Sequence, residues 1–226
     1  NIHSGEMKLK LSVHGMVIID WEDMASFIDS IGRNWLCIGD IGDNLERRAS
    51  VDLYAFPEPE ISGFDTLSSM VQVYNPSIVK HWNYVYENGP HDAEALFVDP
   101  MSGKPYVWSK WEERNSLYEL PLLAGSGIDT ARMMQSFPFS LSTASDCVIQ
   151  DDGSMPIILR SYQFALIWNR TSNQTVLEAL AQKPLKLPYR GNELQGECIW
   201  WTSVGWATVS EEIAGVKPVI WRYDQK

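Results

Sequence analysis

Asp92-Ala93-Glu94-Ala95-Leu96-Phe97 is the segment that decides the fold, because its pattern, an acidic residue leading an apolar strand-like run, returns along the chain. The same frame is found three more times, at 20–25, 144–149 and 195–200. The acids in this frame are Glu22, Glu94, Asp146 and Glu197, separated by 72 (94 − 22), 52 (146 − 94) and 51 (197 − 146) residues. A period of about 50 residues is typical of propeller blades. The first interval carries an insertion.

Further strand-like runs follow each acid, and they are rich in β-branched and aromatic residues and bounded by Gly, Pro, Asp or Asn. Such runs are typical of β-strands. Second runs lie at 35–39, 106–109, 157–160 and 206–210, third runs at 51–56, 116–120, 164–168 and 219–223, and fourth runs at 82–86, 137–141 and 185–187. Each unit is therefore predicted to be a four-stranded antiparallel blade, and the fold class is all-β, a β-propeller.

The two ends of the chain predict how the blades close. Residues 8–13 resemble a fourth strand with no blade before it, and the last unit ends after its third strand. Joining the two would remove exposed sheet edges. We expect a single domain over 1–226, with blades near 20–86, 90–141, 143–188, and 194–223 together with 8–13. The alternative is that these four blades belong to a five- or six-bladed propeller.

Composition predicts a protein with a substantial core and an acidic surface. The chain has 226 residues, of which 45% are hydrophobic, and a net charge of −11. That length can bury a core in one domain, whereas the charge disfavours nucleic acid, which requires a basic surface. No apolar run approaches the roughly 20 residues of a membrane span, so no transmembrane segment is expected. Three cysteines do not make a disulfide framework.

Two N-glycosylation sequons, at Asn169 and Asn173, favour a secreted or extracellular protein. They follow a predicted third strand, on the face of the blades opposite the loops that lead into the first strands.

The repeated acids predict the site. The first strand of each blade lines the centre of a propeller, so Glu22, Glu94, Asp146 and Glu197 are expected to converge. Converging carboxylates repel one another unless a cation compensates them, and oxygen ligands favour Ca²⁺ or Mg²⁺. Nearby residues that could add oxygen ligands are Asp20, Asp23, Asp40, Asp43, Asn44, Asp92 and Gln195. The alternative is structural ion pairing, in which the cations are Arg47, Lys110 and Arg160.

Several sequence blocks, in this order, resemble a poorly characterised family of exported β-propeller proteins. They are Asp20-Trp21-Glu22-Asp23, Gly39-Asp40-Ile41-Gly42-Asp43-Asn44 with Arg47, Glu58-Pro59, His91-Asp92-Ala93-Glu94-Ala95-Leu96, Arg160-Ser161-Tyr162, Gln195-Gly196-Glu197 and Ser210-Glu211. The resemblance covers about residues 15–212 and implies a propeller with a polar site near its axis. It supplies no established reaction. Family members usually carry a further blade before the first block, which favours a larger propeller.

Two functions fit these predictions. The first is an extracellular binding or structural module that holds a divalent cation, with Ca²⁺ as the cofactor, and presents its loops to a protein or glycan partner. The second is a calcium-dependent hydrolase similar in plan to propeller lactonases, paraoxonases and phytases. In the second, His91 or Asp92 is the candidate general base, and Lys110, Arg160 or Arg47 would meet a small anionic substrate. No Gly-x-Ser-x-Gly motif is present.

Overall fold

The chain forms an all-β structure, as predicted. The computed structural model describes residues 6–111, 113–121, 127–190, 193, 195–212 and 215–224. Strands account for 45% and helix for 4% of the structure. The strands are β1 (Leu11–Val13), β2 (Asp23–Ile28), β3 (Asn34–Asp40), β4 (Val51–Pro57), β5 (Gln72–Tyr74), β6 (Lys80–Tyr86), β7 (Ala93–Val98), β8 (Pro105–Ser109), β9 (Ser116–Glu119), β10 (Ile128–Ser136), β11 (Ser142–Cys147), β12 (Ile157–Ser161), β13 (Ala165–Trp168), β14 (Leu185–Leu187), β15 (Gly196–Thr202), β16 (Gly205–Ser210) and β17 (Trp221–Asp224). A 3-10 turn (Ile61–Gly63) and α1 (Val176–Leu180) complete the described elements.

The strands group into four consecutive antiparallel units. Unit 1 has the order β2-β3-β4-β6, unit 2 β7-β8-β9-β10, unit 3 β11-β12-β13-β14 and unit 4 β15-β16-β17. The outer strands of units 1 and 2, β6 and β10, pair in parallel, so these two units form one eight-stranded sheet. Its edge strands β2 and β7 lie against each other, and the sheet is therefore nearly closed.

The hydrophobic core is divided among the spaces between successive units. Leu53 and Leu96 belong to the cluster between units 1 and 2. Trp108 and Trp168, whose ring centroids are 6.0 Å apart, belong to the cluster between units 2 and 3. A third cluster, which includes Trp201, lies between units 3 and 4. Units 2 and 3 are thus covered on both faces, which explains why β7, β8, β11, β12 and β13 are buried at every residue.

The N-terminal strand does not complete the last unit. Instead of joining unit 4, β1 pairs in parallel with β5, with Leu11 opposite Gln72 and Val13 opposite Tyr74. The insertion between β4 and β6 provides this partner, because β5 offers a free strand edge next to unit 1. In the described residues unit 4 has three strands, and the expected pairing of 8–13 with 219–223 was wrong.

The fourth strand of unit 2 also differs from the prediction. It is β10, which precedes residues 137–141 and was missed because it has no continuous apolar run and buries only Ala131 fully. Phe137 and Phe139 continue past β10 and bond to the backbone of Asn115 at 2.8 and 2.7 Å. Phe137 packs on Trp108 with ring centroids 4.7 Å apart. The aromatic run therefore belongs to the core between units, which is why it resembled a strand.

A cleft separates unit 1 from unit 4. Its volume is about 700 Å³, and it is lined on one side by β2 and β3, including Met24 and Ile38, and on the other by β15 and β16, including Trp200 and Val209. Glu22 and Glu197 lie along the same cleft. The first strands β2, β7, β11 and β15 therefore succeed one another by contact from unit 1 to unit 4, with this opening between the first and the last unit.

No helix in the described ranges has the length and apolar character that a membrane crossing would need.

Candidate functional site

A β-bulge at the start of the first strand positions the glutamates. In unit 2 the pairing skips Glu94, which stands between the paired residues Ala93 and Ala95. In unit 4 it skips Glu197 in the same way. In unit 1 Glu22 directly precedes β2, and its N–H donates to the oxygen of Gly39 at 3.0 Å. A bulge leaves its extra residue unpaired and redirects that side chain, so these three glutamates occupy equivalent places.

The bulge residue of unit 3 is Thr143, because the pairing of β11 with β12 skips from Ser142 to Ala144. Thr143 is buried and its hydroxyl donates to the oxygen of Gly196 at 2.8 Å. Asp146 lies three residues farther along the strand. The sequence frame at 144–149 was therefore out of structural register with the others.

The three glutamates belong to a group of carboxyl side chains that we call the acidic cluster. Each member interacts electrostatically with at least one other, and four of them, Glu22, Asp92, Glu94 and Glu197, also interact with the ammonium of Lys110. The acidic cluster consists of Asp20, Glu22, Asp92, Glu94, Glu197 and Glu211. Asp92 and Glu94 are buried, whereas Glu211 lies at the exposed rim.

Lys110 follows β8 and directs its side chain into the acidic cluster. Its side chain is 4% exposed, and Nζ forms an ion pair with Oε1 of Glu94. The ammonium also hydrogen-bonds to Tyr162, whose hydroxyl donates to Oε1 of Glu197. Nζ lies 5.1 Å from the Tyr162 ring centroid and 4.8 Å from that of Trp111. One lysine thus links the glutamates of units 2 and 4 through a tyrosine of unit 3.

A turn in unit 1 holds the segment that carries Asp20 and Glu22 of the acidic cluster. Asp40 is fully buried and accepts from the backbone N–H groups of Ile19 at 2.8 Å and Asp20 at 3.0 Å. Nη1 of Arg48 donates to Asp40 at 2.7 Å and to the oxygen of Gly42 at 2.9 Å. These bonds fix the chain just before Glu22.

Asp43 and Gly42 connect this turn to the acidic cluster. The N–H of Asp43 donates to Oδ1 of Asp92 at 2.7 Å, while its carboxylate accepts from the N–H of Arg48 at 2.7 Å. A side chain at Gly42 would overlap the carboxylate of Glu22 and place its Cβ 2.6 Å from Oδ2 of Asp20. Glycine is required there by the close approach of two acids.

Four acids of the cluster, Glu22, Asp92, Glu94 and Glu197, hold their protons more tightly than free carboxyl groups do. Burial, assisted by repulsion from Glu94 and Asp20, raises the pKa of Glu22 to about 9. Burial raises the pKa of Glu94 to about 7, although Lys110 opposes the shift. Burial also raises the pKa of Asp92 and of Glu197. For Lys110, burial opposes the charged form, but its bonds to Glu94 and Tyr162 outweigh burial and raise its pKa.

One buried oxygen of the cluster lacks a donor among the residues that the structure describes: Oε2 of Glu94 has no hydrogen-bond partner there. The carboxylate of Asp92 accepts from the N–H of Asp43 and bonds to the side chain of Trp111, although no hydrogen bond of good geometry from a described residue reaches its buried Oδ2. Lys110 satisfies only the other oxygen of Glu94. A buried carboxylate oxygen without a partner is costly, so this side of the cluster is left electrostatically incomplete by the described protein groups.

Asp146 is not brought into the acidic cluster. Its Oδ2 accepts from the N–H of Trp201 at 2.8 Å and its Oδ1 from its own neighbour Cys147 at 2.8 Å. Asp23 makes a comparable joint, because its Oδ2 accepts from Leu96 at 2.7 Å and from Ser145 at 3.1 Å. Both carboxylates attach one first strand to another, and burial raises the pKa of both, that of Asp146 to about 6.

The other residues singled out from the sequence are dispersed. Arg160 is buried and pairs with Glu193, with its guanidinium over Tyr189. Arg47 and Asn44 are exposed, and it is Arg48 that pairs with Asp40. Gln195 is exposed in a turn with a φ of 44°.

His91 and the two sequon asparagines also lie apart from the cluster. The His91 ring packs against Tyr86 and Tyr118, with centroids 5.5 and 5.4 Å apart, and it lines a separate cavity of about 210 Å³. Asn169 and Asn173 are exposed.

Sequence reasoning missed several residues that build the site. Thr143 carries no charge and so did not enter the search for acids, although an alignment of strand pairs instead of acids would have found it. Tyr162 and Glu211 stood in the blocks of the family resemblance, but no spacing rule linked them to Lys110. Glu193 precedes unit 4 outside any repeat, and Trp111 resembled a core aromatic.

Comparisons with known proteins do not assign the chain to a family. No protein-family model matches it, and no curated protein matches it significantly.

Among the described residues, no three or more His, Cys, Asp or Glu side chains are grouped as a set able to hold a metal ion.

Proposed function

We propose that the protein is a β-propeller-type binding module whose acidic cluster binds a divalent cation, with Ca²⁺ as the first candidate. The propeller interpretation is supported by antiparallel units arranged in sequence, neighbouring first strands and a core between each pair of units. With first strands innermost, the cluster would lie at the axis. In the described residues unit 4 has three strands, and a cleft lies between it and unit 1. Both features favour a propeller of more than four blades.

The observation that carries the cation proposal is the buried Oε2 of Glu94, which has no donor among the described residues, next to Asp92, whose carboxylate is hydrogen-bonded there only by the neutral N–H of Asp43 and the Trp111 side chain. They lie in a cluster whose carboxyl groups outnumber its one described lysine. Burial raises the pKa of four of these groups, so the cluster retains protons in the absence of a further cation. A divalent cation would displace those protons, since hard oxygen ligands favour Ca²⁺ and Mg²⁺.

The test is calcium binding by purified protein, measured by isothermal titration calorimetry in wild type and Glu22→Gln. Glutamine resembles the protonated carboxyl that Glu22 has at neutral pH, so the variant should fold. We expect its Ca²⁺ affinity to fall about tenfold or more, the scale of one lost charged contact. Glu60→Gln, at an exposed position before the 3-10 turn, is the control. Wild type without measurable Ca²⁺ or Mg²⁺ binding would contradict the proposal.

The second candidate is a calcium-dependent hydrolase of lactones or phosphoesters. One observation favours it: the pKa of Glu94 is raised to about 7, close to the value that a general acid or base needs. Asp92 lies beside it, whereas His91 does not.

In this case a lactone or aryl phosphate should be hydrolysed with Ca²⁺ present. Lys110 or Arg160 would be expected to meet the anionic substrate, and Lys110 is the one that lies in the cluster. The activity should disappear in Glu94→Gln while the melting temperature changes little. Absence of hydrolysis by wild type over a panel of such substrates would contradict the hydrolase and leave the binding module as the proposed function.

We also propose that the protein is secreted and glycosylated, with a protein or glycan as its partner. Asn169 and Asn173 are exposed and meet the acceptor pattern. If the chain secreted from animal cells showed no mass change after N-glycosidase treatment, the glycosylation part would fail.

A further inference from the structure

Lys110 has surroundings that resemble those of a bound ammonium ligand. Its Nζ contacts one carboxylate, that of Glu94, and lies about 5 Å from the ring centroids of Trp111 and Tyr162. A carboxylate together with aromatic faces is how proteins recognise ammonium groups. The ammonium interacts electrostatically with Glu22, Glu94 and Glu197 of the acidic cluster.

The backbone of Lys110 is fixed while its side chain is long. Its backbone N–H donates to the backbone oxygen of Asp92 at 2.9 Å. Its backbone oxygen accepts from the N–H of Leu141 at 2.8 Å and from the side chain of Asn115 at 2.8 Å. The four-carbon stem lets Nζ move without moving these bonds. The Trp111 ring, whose centroid lies 4.8 Å from Nζ, is itself 51% exposed.

Lys110 neutralises the cluster incompletely. It is a single positive charge bonded to one oxygen of Glu94, while Oε2 of Glu94 has no donor among the described groups and Asp92 is hydrogen-bonded there only by the neutral N–H of Asp43 and the Trp111 side chain. With the lysine in place, no set of three acids is grouped for a metal in those ranges. A divalent cation carries twice the charge and can take several oxygens at once, so it would gain contacts that an ammonium leaves unused.

We propose that Lys110 is a tethered competitor for the cation site: its ammonium occupies the acidic cluster in the unliganded protein, and a divalent cation binds by displacing it. This inference rests on the proposed function and adds its regulation. The affinity for the cation then depends on the difference between two free energies: that of the cation in the acidic cluster and that of the Lys110 ammonium in the same place. Contacts that hold Nζ, such as the bond to Tyr162, weaken cation binding.

The test is titration with Ca²⁺ alone of wild type, Lys110→Met and Lys110→Gln, at one pH and ionic strength. We expect both variants to bind Ca²⁺ about tenfold or more tightly than wild type, because the competitor is gone. Lys104→Met is the matched control. Lys104 also pairs with a glutamate, Glu119, at 2.8 Å, but its side chain is 48% exposed outside the cluster. Its removal should leave the Ca²⁺ affinity unchanged. Circular dichroism and melting temperature establish that each variant is folded.

The outcomes separate this inference from the proposed function. Tighter binding by the Lys110 variants than by a wild type that also binds supports both. Binding by the variants but not by wild type supports the competitor and contradicts a calcium-binding function for the natural chain. Equal or weaker binding by folded variants, with wild type binding, overturns the competitor and leaves the function standing. No binding by any protein overturns both.

Discussion

At the residue scale, the position of a carboxyl side chain along a first strand decides whether it joins the acidic cluster or bonds one strand to another. Glu94 and Glu197, at bulges, face Lys110 and Tyr162 in the acidic cluster. Asp146, three residues beyond the bulge of its strand, instead accepts two backbone N–H groups. The first arrangement leaves oxygen atoms for a ligand, whereas the second uses them to join strands.

Asp146 provides a pH test at this scale. Its pKa is about 6 in the folded protein, raised by burial from an ordinary 3.8. The folded state therefore holds this proton more tightly than the unfolded state. The contribution of Asp146 to the free energy of unfolding is largest below pH 3.8 and falls as the pH rises through about 6.

We expect Asp146→Asn to lack this titration. The difference in unfolding free energy between wild type and the variant should change by on the order of 2–3 kcal/mol between pH 3.5 and 7, to the disadvantage of wild type at the higher pH. Urea unfolding at a series of pH values measures it. A constant difference over that range would show that Asp146 has an ordinary pKa.

At the scale of elements, the packing of unit 3 against unit 4 depends on one glycine. Arg160 of β12 is fully buried and pairs with Glu193, which accepts from the hydroxyl of Thr208 at 2.7 Å. Its guanidinium lies directly over Gly196, the first residue of β15, where a Cβ would overlap it. The glycine is thus required for the close approach of a charged plane to a strand.

Gly196→Ala should therefore be strongly destabilising. Because Arg160 cannot leave its pair without exposing a buried charge, we expect a loss on the order of 3 kcal/mol in the free energy of unfolding. Gly127→Ala is the control, since a Cβ there would meet no atom of the described residues within 4 Å. Denaturant unfolding of both variants measures the difference, and equal stability would mean that Arg160 has room to shift.

At the scale of the whole molecule, stability should be graded from the first strands outward. Every residue of β7 and β11 is buried between two neighbouring units. By contrast, β1 and β5 form a two-stranded parallel sheet with exposed residues, outside the four units. Local opening requires little loss of packing where few apolar contacts are buried.

Hydrogen exchange followed by mass spectrometry tests this gradient. Amides of β7 and β11 should exchange only with global unfolding, while those of β1 and β5 exchange by local opening, orders of magnitude faster. Equal protection of β1 and β7 would show that the two-stranded sheet unfolds with the rest of the molecule.

The sequence by itself determined the all-β class and most of the strands, because turn residues and alternating or apolar runs are local properties. It failed at β10, which has no continuous apolar run and buries only Ala131 fully, and at 137–141, where aromatic residues serve the core between units. It also named Glu22, Glu94 and Glu197, since units 1, 2 and 4 carry a glutamate at the start of their first strand, whereas unit 3 has Thr143 at its bulge.

Only the tertiary structure decided what those acids meet. The bulge in β11 places Thr143 where the sequence frame suggested Asp146, because register depends on strand pairing and not on residue type. The pairing of β1 with β5 depended on a partner inserted far along the chain. Lys110, Tyr162 and Glu197 come from three units, and their contact exists only because first strands succeed one another in space. Local patterns fix elements, whereas contacts between distant segments fix the charge balance of the site.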